Sequence, residues 1–286
     1  VNTLAGAATG SFSFTNGQSL VVGALPNQQS GIQVTGASSA NINVNVTSGN
    51  LMVTSVVSAQ GGSGLDVSGL PVAMGGAATV TLNAAAGGIT IQGPSGLRSP
   101  LIDQSPVKTV AAPVFTVGVV AVGGDGTSGG AATVALTAAA DINVLNSLAG
   151  AAGGSGLTGA GGNAQVTLAT GGNVNLASNV IANGGMGSMG NGTGRINLFF
   201  LNSGNFIVNN QAGVIFDPIT GSGFMVDDAP AILNVNLFVS GGGSVFIDPL
   251  VAAMNTQADV LADQLRAGDT GQSENKDKKK LPFCSR

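Results

Sequence analysis

The chain has 286 residues, of which only 8% are charged, and its net charge is −4. It contains no His, Tyr or Trp. Histidine is both the commonest general base and the commonest metal ligand, so the usual residue for either role is missing. Only Arg98, Lys108 and Arg195 are basic before residue 254, which leaves no basic stripe for nucleic acid.

Residues 1–60 alternate apolar and polar side chains over short runs, which predicts half-buried strands. The apolar positions are Phe12/Phe14, Leu20/Val22, Ile32/Val34, Ile42/Val44/Val46 and Leu51/Val53. Turn-forming residues at Pro26–Gln29 and Thr47–Asn50 separate some of these runs. We interpret this part as divergent coils of a repeat structure.

Residues 61–79 are rich in loop-forming residues, with one expected short strand at Leu65/Val67. Residues 80–92 give the first clear pair of alternating runs. Residues 93–113 hold four prolines, which cannot donate a hydrogen bond to a strand ladder. We expect a long loop or protrusion there.

One unit occurs twice within residues 130–192. Thr133–Leu136 is followed by Ala140–Val144, and Gln165–Leu168 is followed in the same way by Gly172–Leu176. Each unit has two alternating runs, a tight turn and a glycine-rich loop, and self-similarity of this kind is typical of solenoids. Strands this short must pair with their equivalents in the next unit, which predicts parallel strands stacked into a β-helix.

The spacing predicts which positions are equivalent in successive units. For the first strand these are Val80, Val134, Val166 and Ile196, and for the second they are Ile89, Ile142, Val174 and Phe206. The side chains expected in the interior are Val134, Leu136, Ile142, Val144, Val166, Leu168, Val174 and Leu176. The long interval after Val80 has room for an extra coil, with Val114–Val117 and Val119/Ala121 as its candidate, and Asn179–Ala182 is a candidate third strand.

The remaining sequence changes character. Residues 196–250 hold seven of the eleven phenylalanines and are interpreted as wider terminal coils, with an aromatic ligand site as the alternative. Residues 251–268 are predicted to be a capping segment, in which 254–267 form a helix with Met254, Ala258, Leu261 and Leu265 on one face. Residues 269–286 are a charged tail.

The residues of catalysis and metal binding are sparse. The carboxylates before residue 254 are Asp66, Asp103, Asp125, Asp141, Asp217, Asp227, Asp228 and Asp248. The adjacent pair, Asp227 and Asp228, would point to opposite faces of a strand. Gly123–Gly126 resembles one calcium-binding nonapeptide but does not recur at nine residues. We therefore predict no enzyme, no catalytic residues, no cofactor and no metal.

The succession of motifs resembles the filamentous haemagglutinin-like exoproteins of the two-partner secretion pathway of Gram-negative bacteria. The residues that carry this resemblance are Leu20–Gly23, Ser48–Val53, Val80–Leu82 with Gly88–Ile91, and the two units above, within residues 15–210. It implies an all-β fold, a right-handed parallel β-helix (β-solenoid) over residues 1–250, and a role as an adhesin or surface fibre. The family's N-terminal secretion domain is missing, and since no signal peptide is recognisable, we expect a processed or truncated piece.

The expected function is that of a non-enzymatic fibre or adhesin segment, secreted or at the cell surface, that assembles head-to-tail with copies of itself. A host or neighbour-cell receptor or glycan is a further expected partner, whereas nucleic acid and a transmembrane segment are not expected. The candidate assembly contacts are Lys278, Lys279, Lys280, Leu281, Phe283 and Cys284. The alternative is a monomeric binding module for glycan or ice.

Overall fold

Parallel β-strands form the regular structure of the described residues. The computed structural model describes residues 1–26, 30–93 and 117–200, together with strands at 206–208, 232–239 and 245–247. The strands are β1 Thr3–Leu4, β2 Gly6–Thr9, β3 Ser11–Asn16, β4 Leu20–Val22, β5 Ile32–Thr35, β6 Ser39–Val46, β7 Leu51–Val53, β8 Val56–Gln60, β9 Ala77–Ala84, β10 Ile89–Gln92, β11 Gly118–Val122, β12 Ala132–Ala138, β13 Ile142–Ala152, β14 Ala164–Thr170, β15 Val174–Asn183, β16 Thr193–Phe200, β17 Phe206–Val208, β18 Ile232–Val239 and β19 Val245–Ile247.

The strands lie in two sheets of 12 and 7 strands. The larger sheet contains two stacks of strands. The first stack runs β1-β4-β7-β10-β13-β15-β17-β19, and the second runs β2-β5-β8-β11-β13-β15. The long strands β13 and β15 belong to both stacks, because each continues past the corner at which the other strands end. The seven-stranded sheet is the third stack, β3-β6-β9-β12-β14-β16-β18.

Consecutive strands therefore belong to the first, second and third stack in turn, and we call each such set of strands a layer. Layers 1 to 4 are β1–β3, β4–β6, β7–β9 and β10–β12, while layers 5 and 6 are β13–β14 and β15–β16. Every layer pairs with the one before it through parallel strands. The described residues thus form an all-β structure in which all named strands pair in parallel.

The register between layers confirms the equivalences predicted from the sequence. Val134 is paired with Val80 on one side and with Val166 on the other, and Val166 is paired with Ile196. In the first stack Ile142 lies between Ile89 and Val174, and Val174 is paired with Phe206. Each side chain therefore lies over its counterpart in the preceding layer.

The apolar interior lies among the three stacks. All eight side chains predicted to be interior are 0% exposed. A second, smaller apolar cluster contains Val120, Leu148, Ala152 and Ile181. These residues alternate along their strands with interior residues such as Val119 and Val180, so the second stack has buried side chains on both of its sides in layers 4 to 6.

Three details of the prediction require correction. The interval after Val80 holds no extra coil, because β9 pairs directly with β12. Of the residues proposed for that coil, Val119 and Ala121 belong to β11, which completes layer 4. Leu65 makes only an isolated antiparallel bridge to Pro71, and Val67 is fully exposed, because this stretch is a surface turn.

The candidate third strand Asn179–Ala182 is present as the second half of β15. It is continuous with the first-stack half of that strand, and the register between β13 and β15 shifts at Leu145/Leu148. Residues 94–116, which include most of the proline-rich stretch, lie outside the described residues, as do the helix expected at 254–267 and the tail. Among the described residues, no helix has the length and apolar character needed to cross a membrane.

An acidic side chain placed at the interior position of Val166 is expected to unfold the protein. Val166→Asp would bury an unpaired carboxylate between Val134 and Ile196, at a cost of roughly 4 kcal/mol or more in the free energy of unfolding. Gln165→Asp, one residue earlier and exposed, is the matched control and should shift it by less than about 0.5 kcal/mol. Denaturant titration followed by circular dichroism measures both, and equal midpoints would contradict the register.

Candidate interaction surfaces

A fin of stacked glycine-rich loops projects from layers 3 to 6. We call residues 61–76, 123–131, 153–163 and 184–192 the glycine fin, since these segments connect β8, β11, β13 and β15 with the next strand of the third stack. Each segment begins, directly after its strand, with the same four-residue motif, Gly-Gly-x-Gly. The motifs are Gly61–Gly64, Gly123–Gly126, Gly153–Gly156 and Gly184–Gly187.

Backbone hydrogen bonds run through the fin from layer to layer. Within a layer, the returning arm donates to the outgoing arm, as in Gly130 N–H to Gly124 O at 2.8 Å. Between layers, the outgoing arm donates to the returning arm of the layer before it, as in Gly154 N–H to Gly130 O at 2.9 Å. The same alternation continues from Gly62 to Gly192, so the arms form one continuous hydrogen-bonded array.

The fin accommodates no side chain at its central positions. A Cβ atom added to Gly154 would lie 2.0 Å from the carbonyl oxygen of Gly124, the equivalent glycine of layer 4. Gly124 meets Gly62 in the same way at 2.0 Å, and Gly185 meets Gly154 at 1.9 Å. These obstacles are backbone atoms, which cannot swing aside as a side chain would. Glycine is therefore required here by the close approach of the chains.

Sequence reasoning missed the fin although its signal was present. From the sequence, Gly123–Gly126 is compared only with a calcium-binding loop. The informative signal is the recurrence of Gly-Gly-x-Gly at positions 61, 123, 153 and 184. The recurrence can be interpreted only once the layers are aligned, because equivalent glycines of successive layers then contact each other.

The outer edge of the fin exposes large apolar side chains. We call Val67, Leu70, Val72, Met74, Leu157 and Met189 the apolar ridge, and each is between 43% and 107% exposed. The tips are joined by backbone bonds, with Thr127 N–H donating to Ala73 O and Leu157 N–H donating to Gly126 O. The backbone that carries the ridge is consequently hydrogen-bonded from one segment to the next.

A hydrogen-bonded turn supports the widest part of the ridge. The Oδ1 atom of Asp66 accepts the backbone N–H groups of Ser68 at 2.8 Å and Leu70 at 2.9 Å. Gly69 adopts a φ of 76° in this turn, a conformation that favours glycine. The carboxylate therefore bonds to the backbone of the same turn that carries the exposed Val67 and Leu70.

The outer face of the third stack is a second candidate surface, and it is polar. Its three columns of side chains are Ser11, Asn41, Thr79, Thr133, Gln165 and Arg195, then Ser13, Asn43, Thr81, Ala135, Thr167 and Asn197, then Thr15, Asn45, Asn83, Thr137, Ala169 and Phe199. Arg195 is the one charged residue among these positions. Thr79, Thr81 and Thr133 thus belong to a larger face of hydroxyl and amide groups.

Side-chain amides bond between layers as well. Asn83 donates to Asn45 at 2.8 Å on the third stack, and Asn175 donates to Asn143 at 2.6 Å on the first stack. Such ladders stabilise the stacking of layers, and they use part of the hydrogen-bonding capacity that a ligand would need.

Layer 1 presents a third candidate surface, an open edge. β1, β2 and β3 each end their row of described strands and pair on one side only. Ala8, Phe12 and Phe14 pack against the core from this layer but are only partly buried. An edge of this kind offers unpaired backbone groups to another strand.

The described carboxylates have structural partners. Asp125 accepts the N–H of Ser155 at 2.6 Å, and Asp141 accepts the N–H of Asn173 at 2.7 Å. Within residues 1–26, 30–93 and 117–200 and the three further strands, no group of three or more His, Cys, Asp or Glu side chains is placed to hold a metal ion. Lys278, Lys279, Lys280, Leu281, Phe283 and Cys284 lie outside the described residues, so their predicted role in assembly stays a prediction.

Comparisons with protein-family models, curated proteins and solved structures find no match to this chain. The surfaces described above are therefore assessed on their own chemistry.

Substitution in the centre of the fin is expected to destabilise the protein more than substitution of a glycine in open space. Gly154→Ala forces its Cβ onto the Gly124 carbonyl, which should cost roughly 2 kcal/mol or more of unfolding free energy. Gly17→Ala is the matched control, because a Cβ there meets nothing within 4 Å, and it should change stability by less than about 1 kcal/mol. Equal denaturation midpoints for the two variants would mean that the fin is not closely packed.

Proposed function

We propose that this protein is a non-enzymatic structural protein, a segment of a fibre or adhesin that assembles head-to-tail into an extracellular filament. Its fold in this proposal is a right-handed parallel β-helix, or β-solenoid. The solenoid is supported by the strand order, because consecutive strands belong to the three stacks in turn. Right-handedness is supported by the strong preference of parallel crossover connections for that hand.

Register-matched stacking of parallel layers is the single observation that carries the proposal of assembly, and layer 1 is the edge at which another copy would continue it. The strands of layer 1 pair on one side only among the described strands, and Phe12 and Phe14 in this layer are only partly buried. The occupant that fits best is a terminal layer of another copy, which would continue both the backbone ladder and the apolar interior. Contacts between unlike ends do not close on themselves and generate open fibres.

The distribution of charge supports the same proposal. Proteins commonly protect an exposed strand edge with charged side chains, but β1, β2 and β3 contain none. The whole chain has 22 charged residues, 9 basic and 13 acidic, and 11 of these 22 lie in residues 254–286. In this proposal Lys278, Lys279 and Lys280 contact the acidic body of the neighbouring subunit.

The remaining elements of the proposal come from the sequence of the tail and from the family resemblance. Leu281 and Phe283 anchor the tail in an apolar site of the neighbour, and Cys284 pairs with a cysteine of another chain. The resemblance to filamentous haemagglutinin-like exoproteins places the protein outside the cell, secreted or at the surface of a Gram-negative bacterium. A host or neighbour-cell receptor or glycan is its further partner.

A lysine directed into the open end of the core is expected to block head-to-tail assembly. Ala8→Lys places a charge on the inner side of β2, where an incoming layer would have to bury it. Ala7→Lys, on the same strand but exposed, is the matched control. Sedimentation and negative-stain imaging should give filaments for the wild type and Ala7→Lys, and single particles for Ala8→Lys. Filaments of equal length in both variants would contradict assembly through this edge.

Deletion of residues 269–286 tests the tail separately. If the tail links subunits, the deletion should shorten the filaments and lower the temperature at which they dissociate, while the circular dichroism spectrum of the subunit is retained. Filaments of unchanged length and stability would exclude the tail as the linking element without contradicting the contact at layer 1.

The alternative function, a monomeric binding module for glycan or ice, is favoured by the outer face of the third stack. This face carries uncharged hydroxyl and amide groups on parallel strands about 4.8 Å apart. One column contains Ser13, Asn43, Thr81 and Thr167, and Ala135 interrupts it between Thr81 and Thr167.

A charged pair on this face is expected to abolish such binding. Thr81→Lys combined with Thr133→Lys interrupts two adjacent columns at partly exposed positions, so a glycan-array signal or thermal hysteresis of the wild type should be lost. Ser58→Lys, on the second stack, is the control and should retain it. If the wild type gives neither signal, the alternative is wrong.

A further inference from the structure

We propose that the apolar ridge of the glycine fin is a second self-association surface, through which two copies pair side by side, ridge against ridge. This contact is separate from the head-to-tail contact of layer 1. It would join two subunits, or two filaments, laterally.

The distribution of exposed apolar side chains supports the proposal. Of the large apolar side chains that are exposed among the described residues, six belong to the ridge, and only Val1 and Met52 lie elsewhere. Single exposed apolar side chains are ordinary, but a concentration of them on one feature marks an interaction site. Six such side chains offer several hundred Å², which approaches the roughly 800 Å² that each partner buries in a standard interface.

The charges of the fin favour a second copy over other partners. Its segments contain no Lys or Arg, and their charged residues are Asp66 and Asp125. Both carboxylates accept backbone N–H groups of the fin itself. A surface with acidic residues and no basic ones is unsuited to nucleic acid or to an anionic membrane. Burial against an identical apolar ridge requires no opposite charge from the partner.

The hydrogen-bonded backbone that carries the ridge also suits a protein contact. Leu157 and Met189 lie at tips whose backbone N–H groups donate to Gly126 O and Gly159 O, so little backbone freedom is left to lose on association. An interface whose backbone is already ordered avoids part of the entropic cost of binding. With a two-fold axis, the same ridge serves both partners, which gives a closed contact.

The test uses the full chain in the Ala8→Lys background, so that head-to-tail assembly does not contribute to the measured mass. We expect sedimentation equilibrium to detect a dimer. The triple variant Leu70→Ser, Met74→Ser, Met189→Ser should weaken it at least about tenfold, because exposed apolar side chains at the centre of an interface dominate its affinity. Met52→Ser, a 40% exposed methionine of the first stack, is the matched control and should leave the dimer unchanged.

Cross-linking provides an independent readout that does not depend on the stability of the variants. In a Cys284→Ser chain, single cysteines at Met74, Leu157 and Met189 are oxidised, and at least one should give a covalent dimer, whereas Met52→Cys should give none. A monomeric protein at all concentrations, or a dimer that the triple variant does not weaken, would overturn the proposal. Ridge-dependent binding to phosphatidylcholine vesicles without any dimer would overturn it in favour of a lipid surface.

Discussion

Parallel pairing of equivalent residues in successive layers is the interaction on which the rest of this structure depends. β1 has two residues, and β4, β7, β17 and β19 have three each, so none could persist without neighbours. Pairing holds adjacent strands about 4.8 Å apart and places each interior side chain over its counterpart. Val134 over Val80, and Val166 over Val134, are consequences of that register. The interior can therefore be extended by layers without becoming wider.

The glycine fin follows from the same constraint applied to chain segments that are not strands. Its arms lie so close that the position of a Cβ on Gly154 is occupied by the carbonyl oxygen of Gly124. Hydrogen bonds in two directions, within a layer and between layers, satisfy the N–H groups of Gly130 and Gly154 without any side chain. The fin is thus a packed structure with a backbone core, in contrast to the body, whose core consists of Val, Leu, Ile and Ala. Side-chain chemistry is confined to its edge.

The sequence predicted the first and third stacks well because there only one side of each strand is buried. Alternation at Val134/Leu136 and at Ile142/Val144 therefore marks the interior directly. The second stack was harder to predict, since Val120, Leu148 and Ile181 are buried as well as their interior neighbours. Burial on both sides removes the alternation and leaves a continuous apolar run. Val119 and Ala121 were expected in an extra coil because of the long interval after Val80, whereas they lie in β11, which completes layer 4.

The candidate surfaces could be predicted only in part, because their side chains are brought together by register and not by proximity in sequence. Leu157 and Met189 belong to different repeats, and each is an isolated apolar residue among glycines in the sequence. Backbone hydrogen bonds between the tips of successive layers, such as Met189 N–H to Gly159 O, bring them to one edge. Because the charged residues of the fin bond to its own backbone, recognition there has to rely on shape and apolar contact. Contacts of that kind are less sensitive to salt than pairing between exposed charges. The fin and the charged tail would accordingly respond differently to ionic strength, which is expected if lateral and head-to-tail association are independent properties of one chain.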